Sequence, residues 1–405
     1  MERVLDGLKV IDMGHVVAGP SAASLLADWG ADVTKVEPLS GEWMRHYRGH
    51  LEADPVMEME GGQVNWLVEL LNRGKKGLAV DLRKEQGRAV LHRLVEGADI
   101  FLSNYEASTL DKLGLDYDTL SAINPRLIYA LLTGFGAVGP DKDERGYDQL
   151  LWGRAGLSQA ITEPGANLVV MRPAMLDRIT GDHLVMGVLG AILERGRSGL
   201  GQKLDVSLFH SALWTLGLDI EPALMGLEGH RFDRTDSNNP LANVYRTRDD
   251  RWMMLSMLES DKDWPGLCAA IERQDLEQDP RFSSAKGRDK NSLELIAILD
   301  EVFATRDLTD WLARLRENGC IYSSVQTYEE AVTDPQVLAN DFFYESPHPV
   351  AGTLNYVATP VTFSRTRAAV SAPAPAIGEH TNEVLLGAGF STDEIDALRG
   401  DDVVI

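Results

Sequence analysis

The apolar positions in the first third of the chain fall into short runs separated by amphipathic stretches. Leu8–Asp12, Asp32–Glu37, Gly77–Asp81, Ile100–Ser103 and Leu127–Leu132 have the length and composition of buried strands. Ser21–Trp29, stopped by Gly30, and Lys84–Glu96 carry helical periodicity. Strands alternating with helices of about ten residues predict a parallel sheet covered on both faces. In such sheets ligands bind beyond the carboxyl ends of the strands. The turns after Asp12, Val36, Leu102 and Leu132 are therefore the places where chemistry is expected.

Farther on, a long helix is expected over residues 178–195, then a strand over Lys203–Ser207 and a helix over Leu208–Leu218. The polar segment Glu228–Asn243 reads as a linker or exposed loop. Val244–Arg248 and Trp252–Met257 predict a hairpin around Arg248-Asp-Asp-Arg251, followed by helices near 261–272, 290–304 and 308–318. These form a plausible smaller domain. The tail from residue 345 is rich in Pro, Ala and Thr and ends in a helical pattern, Ser391–Arg399.

Composition narrows the function. The 405 residues provide for one large or two ordinary domains. Lys and Arg total 39 against 62 Asp and Glu, a formal charge of −23, which argues against generic binding to nucleic acid or anionic membrane. A polyanionic ligand would need a local basic patch. Cys268 and Cys320 give neither a metal spacing nor a disulfide framework, and a cytoplasmic location is the expectation. No apolar run of signal-peptide or membrane-spanning length is found.

Four features are candidates for chemistry. Gly134-Phe-Gly-Ala-Val-Gly139 fits the dinucleotide pattern G-x-G-x-x-G, but that fingerprint needs a helix opening at its third glycine. Here a charged loop, Pro140–Gly146, follows, and a glycine loop near the site is the better reading. His15 lies in the turn after the first strand, which offers peptide N–H groups to an anion. Lys35, Arg45, Arg48, Arg73, Lys75, Lys76, Lys112 and Arg145 punctuate the expected ligand edge. Asp177 stands at the mouth of the long helix, where a carboxylate either caps the helix or serves as a nucleophile in its terminal field.

Taken in order, several segments resemble the class III CoA-transferases, the group of formyl-CoA transferase and carnitine CoA-transferase, whose superfamily includes the α-methylacyl-CoA racemases. They are Gly7–Asp12 with His15–Pro20; Gly30–Pro38; Asn72–Lys76 with Val80-Asp-Leu82; Asn104-Tyr105 with Leu110–Gly114; Asn124–Ile128; Gly134-Phe-Gly136; Gly146-Tyr-Asp148; and Arg197–Gln202 with Leu204–Ser207. Each is weak singly, and their order and spacing together are specific.

The resemblance implies an α/β fold. A Rossmann-like parallel-sheet large domain would be formed by both chain ends, with a smaller α+β domain, in an interlocked homodimer. Residues 1–224 and 326–405 would form the large domain and 225–325 the small one. It places Asp177 on the catalytic aspartate. His15, Val16 and Ala18 fall on the turn that contacts CoA, and Lys75, Asn104, Tyr105, Lys112, Arg145 and Tyr147 on positions that hold CoA or line its channel. Coenzyme A or acyl-CoA would be a substrate, with no permanently bound cofactor, no metal and no nucleic-acid or membrane partner. Val17 and Pro38 replace residues of the formyl-CoA enzymes, and their closing glycine-run loop has no counterpart near 245–260, which argues against formyl and oxalyl substrates.

Chemistry separates transfer from racemisation. Transfer between carboxylates needs an ionised carboxylate nucleophile and no general base. Racemisation needs two acid/base groups, one titrating near neutrality. The racemases carry a histidine at the position of Tyr147, and a tyrosine titrates near 10. The reading is a CoA-transferase working through an aspartyl anhydride and an aspartyl-CoA thioester on Asp177. A racemase or isomerase, or a non-catalytic acyl-CoA-binding relative, is the alternative. The helix field is expected to lower the Asp177 pKa. Trp152, Tyr47 and Met175 are candidate pocket walls, with core packing the better reading for each.

Overall fold

A computed structural model describes residues 2–48, 54–59, 61–227 and 233–405. The chain divides into two compact units: 1–157, 170–225 and 338–405 in the first, and 158–169 with 226–337 in the second.

The first unit is built on a six-stranded parallel sheet. Its strands are β1 (Lys9–Met13), β2 (Asp32–Glu37), β3 (Lys76–Ala79), β4 (Ile100–Ser103), β5 (Ile128–Thr133) and β6 (Lys203–Ser207), in the order β3-β2-β1-β4-β5-β6. Every pairing is parallel. The period of two sorts side chains to two cores. Val10, Ile100, Leu102, Ile128, Ala130 and Leu132 face one layer. Ile11, Phe101, Tyr129 and Leu131 face the other. Both faces are covered, which is why these strands read as apolar runs.

On the first face lies α1 (Ala18–Asp28), where every residue except Ser21 is buried. Against it packs the 24-residue α6 (Met175–Ser198). Gly181 permits the approach: a Cβ there would lie 2.6 Å from Ser21 Oγ and 3.0 Å from Ala18 O. On the second face lies α3 (Glu85–Glu96), together with Val384, Leu385, Ile395, Val403 and Val404 from the chain end. Between these elements in sequence come α2 (Trp66–Asn72), α4 (Ala107–Leu113) and α5 (Asp148–Arg154).

The second unit holds a three-stranded antiparallel sheet, β9-β8-β7, from Val244–Arg246 (β7), Trp252–Leu255 (β8) and Tyr322–Ser324 (β9). The expected hairpin forms, with Trp252 opposite Arg246 and Asp250 at φ 65° in its turn. Tyr245, Trp264, Phe282, Phe303 and Trp311 build its core. Part of the expected linker, residues 228–232, lies outside the described residues.

Two sequence expectations change. The helix over Leu208–Leu218 ends at Thr215 and a separate one runs from Gly217 to Leu224. The helix after Asp177 starts earlier, at Met175, so that Asp177 lies in its first turn. No helix among the described residues is long and apolar enough to cross a membrane.

Candidate active site

The turn leaving β1 is fixed from beneath by buried charge. Asp12 accepts from the Gly14 N–H at 2.7 Å and from Lys75 Nζ at 2.8 Å. Lys35 Nζ donates to the Gly14 carbonyl and stands 3.2 Å from Glu42 Oε1. The second Glu42 oxygen accepts from the Val16 N–H at 3.0 Å. From the neighbouring strand end, Asn104 grips the His15 peptide twice, accepting from its N–H and donating to its carbonyl, each at 2.8 Å. Between these holds Val16 has φ 63°, a left-handed conformation in which a β-branched residue is an outlier. Such strain is found where a backbone must present itself to a ligand.

The His15 ring meets Tyr105 edge-on at 4.9 Å between centroids. Burial lowers the His15 pKa and outweighs the nearby Glu42 carboxylate, so the imidazole is neutral at pH 7. Its Nδ1 is buried without a protein partner. Immediately beyond, α1 opens with no acidic residue in its first turn and no side-chain cap, leaving the positive end of its dipole facing the turn.

These groups line one side of a cleft of about 760 Å³. Residues at and beyond the ends of β4 and β5 complete the lining. The segment after β5 doubles back on itself, because Gly134 and Gly146 are in backbone contact; a Cβ on Gly134 would lie 2.6 Å from Gly146 Cα. No helix opens before Asp148, which removes the dinucleotide reading of Gly134–Gly139. At the mouth, Arg145 meets Glu106 at 3.5 Å, and Lys142 and Lys203 add positive charge to the lining.

Asp177 reaches the same cleft from α6. It caps nothing: the N-cap is Ala174, at φ 68°, with no side-chain cap bond. The helix end is held instead by Asp148, the first residue of α5, whose Oδ2 accepts from the N–H of Leu176 at 2.5 Å and of Asp177 at 3.0 Å. Burial first, then the Asp148 charge, push the Asp177 pKa up to about 7. The expected depression is thus reversed. Desolvation and a like charge outweigh the helix field, whose N–H groups are engaged by Asp148. The result is a half-buried carboxylate that is both basic and ionisable at neutral pH.

The sequence matches the family model for CoA-transferase family III over residues 5–381. The chain belongs to CoA-transferase family III. It is 32% identical over 403 residues to (R)-2-hydroxy-4-methylpentanoate CoA-transferase of Clostridioides difficile, covering 99% of each chain. It is also 32% identical to cinnamoyl-CoA:phenyllactate CoA-transferase of Clostridium sporogenes, with 98% of this chain and 97% of that one covered. Among solved structures, a CAIB/BAIF family protein from Brucella suis superposes with a TM-score of 0.84 at 29% identity, covering 96% of this chain and 100% of that one.

In this family III CoA-transferase, eight sequence-nominated residues share the cleft: His15, Val16, Ala18, Asn104, Tyr105, Arg145, Tyr147 and Asp177. Two do not line it. Lys112 is exposed on α4 beside the lining residues Asp111 and Thr109. Lys75 is buried at 2% exposure, its ammonium spent on Asp12, the Pro20 and Leu71 carbonyls and Asn72. It supports the turn from below rather than facing a ligand. Of the other basic residues of the supposed ligand edge, Arg48 is exposed and donates to the Arg45 and Tyr47 carbonyls, while four are ion-paired. Lys35 pairs with Glu42, Arg45 with Glu37 and Arg73 with Asp28. Lys76, at the amino end of β3, pairs with Asp32 and Glu383.

Of the candidate pocket walls, Trp152 is core, at 2% exposure, because α5 turns it inward. Tyr47 packs against the small cluster of Val17, Met44, Leu67 and Leu71, and Met175 is exposed. Sequence reasoning passed over Glu42 and Asp148. The second stands in Gly146-Tyr-Asp148, directly after the tyrosine that separates transfer from racemisation; the first carries no local signal.

Proposed function

We propose that the enzyme moves CoA from an acyl-CoA thioester to a carboxylic acid through covalent intermediates on Asp177. The observation that carries this is the Asp177 carboxylate in the cleft, with a pKa raised to about 7 and the neutral His15 and the α1 terminus lining the same space. A carboxylate of raised pKa, partly stripped of water, is a stronger nucleophile than a solvated aspartate.

Asp177 Oδ attacks the thioester carbon, the C–S bond breaks and CoA leaves as thiolate, giving a mixed anhydride. The thiolate then attacks the aspartyl carbonyl, releasing the donor acid and leaving aspartyl-CoA. The acceptor carboxylate attacks that thioester, expelling CoA thiolate and forming a second anhydride. Attack of the thiolate on the new acyl carbon gives the product thioester and regenerates Asp177. Peptide N–H groups of the Gly134–Ala137 segment, which lines the cleft, would stabilise the oxyanions, each donor worth roughly 3 kcal/mol. His15, Val16, Ala18, Asn104, Tyr105, Arg145 and Tyr147 would hold the CoA moiety, with Lys112 at the channel's outer end.

The names of the two 32%-identical relatives nominate branched and aromatic acyl groups as first substrates to assay. Two chains would form an interlocked homodimer, with residues 1–224 and 326–405 in the large domain and 225–325 in the small one. The exposed apolar residues Trp214, Leu218, Leu224 and Met225 support a surface covered by a second copy.

The test is to incubate the protein with acyl-CoA donors and trap with hydroxylamine or borohydride, reading the Asp177 peptide by mass. An adduct with active donors is expected, along with lost transfer but retained CoA binding in Asp177→Ala. Wild-type transfer by that variant would refute the assignment.

A further inference from the structure

Glu42 is buried at 5% exposure and lies outside the cleft lining, yet one of its oxygens is committed to the strained residue of the cleft turn. We propose that Glu42 is a positioning residue for turnover: by accepting the Val16 N–H it holds the left-handed bend that sets His15 and the start of α1 against the cleft.

Three observations converge on this. Val16 is a β-branched residue at φ 63°, a conformation it adopts only when its surroundings impose it. The imposing bonds are few and identifiable: the Glu42 carboxylate on the Val16 N–H, and the Asn104 amide on the N–H and the carbonyl of the preceding residue, His15. Glu42 is itself aimed by buried partners, since its N–H donates to Glu37 Oε1 at 3.0 Å and its other oxygen faces Lys35 at 3.2 Å. Glu37 in turn is pinned by Arg45 at 2.7 Å. A chain of buried charge thus runs from the end of β2 to a single peptide of the binding turn. Without the acceptor, Val16 relaxes toward ordinary φ, and His15 and the opening of α1 rotate with it.

The inference rests on the CoA-transfer reading, and its test separates the two. Glu42→Gln keeps an oxygen for Val16, loses the charge toward Lys35 and turns its NH2 to that ammonium, a donor against a donor whose cost is read in the thermal midpoint. Glu42→Asp keeps the charge and withdraws the oxygen by about 1.5 Å, one carbon–carbon bond. CoA affinity is measured by calorimetry, alongside kcat and KM for transfer and the thermal midpoint. The expected result is that the Gln variant stays within about threefold of wild type in kcat/KM, while the Asp variant loses on the order of 30- to 100-fold. CoA binding by the Asp variant should weaken about tenfold in protein that is still folded at the assay temperature.

Adding Val16→Gly to the Asp variant, so that residue 16 takes up the left-handed bend without strain, should recover at least part of that loss. The inverse order, an impaired Gln variant and an unimpaired Asp variant, would overturn the proposal. So would losses that follow the unfolded fraction alone with no recovery from Val16→Gly. If the wild-type protein shows no transfer and no Asp177 adduct, the transfer reading fails instead, while the CoA-binding comparison still tests Glu42.

Discussion

The N–H of Asp177 donates to Asp148 Oδ2 at 3.0 Å, so the carboxylate proposed as nucleophile and the carboxylate that orders its helix belong to one unit. Asp148 takes up the N–H groups at the start of α6 that would otherwise favour a negative Asp177, and adds a like charge beside it. Both effects leave the Asp177 proton more tightly held than in a solvated aspartate.

Asp148→Asn tests this arrangement. The amide oxygen of Asn can still accept from Leu176 and Asp177, while the negative charge is gone. Because burial is the larger cause of the Asp177 shift and the Asp148 charge the second, the pKa should fall from about 7 yet stay above the ordinary carboxylate range. On the proposed mechanism ionisation of Asp177 sets the acid limb of the kcat/KM profile for transfer, and that limb should move down by on the order of half a pH unit or more. A limb at the wild-type position would show that the two carboxylates are not coupled.

Stability carries the same signature with a defined sign. The folded pKa of Asp177, about 7, lies above the unfolded value of about 3.9. Its contribution is fully present below pH 4 and is lost as pH rises through 7, because the unfolded chain releases that proton first. Asp177→Asn abolishes the dependence. Urea denaturation should show the variant more stable than wild type at pH 8, by on the order of 2 kcal/mol once solvent screening at this half-buried site is allowed for. The gain should be smaller at pH 5. An equal difference at both pH values would place the titration elsewhere.

Much of this was legible in the sequence because it rests on local periodicity. The five expected strands of the first 135 residues and the one at Lys203–Ser207 all form within a residue or two, since parallel strands buried on both faces write themselves as apolar runs. Periodicity points to the turns after Asp12, Leu102 and Leu132, while the grouping of His15, Asn104, Arg145 and Asp177 comes from the family resemblance; all four line one cleft. What escaped is long-range electrostatics. Nothing near Lys75 in the chain shows that Asp12, 63 positions away, will claim its ammonium. Nothing near Asp177 shows that Asp148, 29 positions away, will take the helix N–H groups. A basic residue at a predicted ligand edge and one neutralised beneath it have the same local sequence.

Lys75→Met separates those two possibilities. If Lys75 held a CoA phosphate, the variant would keep its stability and lose CoA affinity in a salt-dependent way. The structure predicts the reverse. The ammonium is buried, its pKa drawn down to about 8 by desolvation, and it donates to Asp12, the Pro20 and Leu71 carbonyls and Asn72. Methionine removes the three N–H donors these four acceptors share and leaves the buried Asp12 without its ion-pair partner at 2.8 Å, a change that costs about 3–5 kcal/mol in comparable buried pairs. Pairing the substitution with Asp12→Asn, which removes the stranded charge, should restore a substantial share of that loss. Denaturation of the single and double variants, with CoA affinity measured by titration on the folded fraction, gives the answer. A stable Lys75→Met protein with weakened CoA binding would return Lys75 to the ligand.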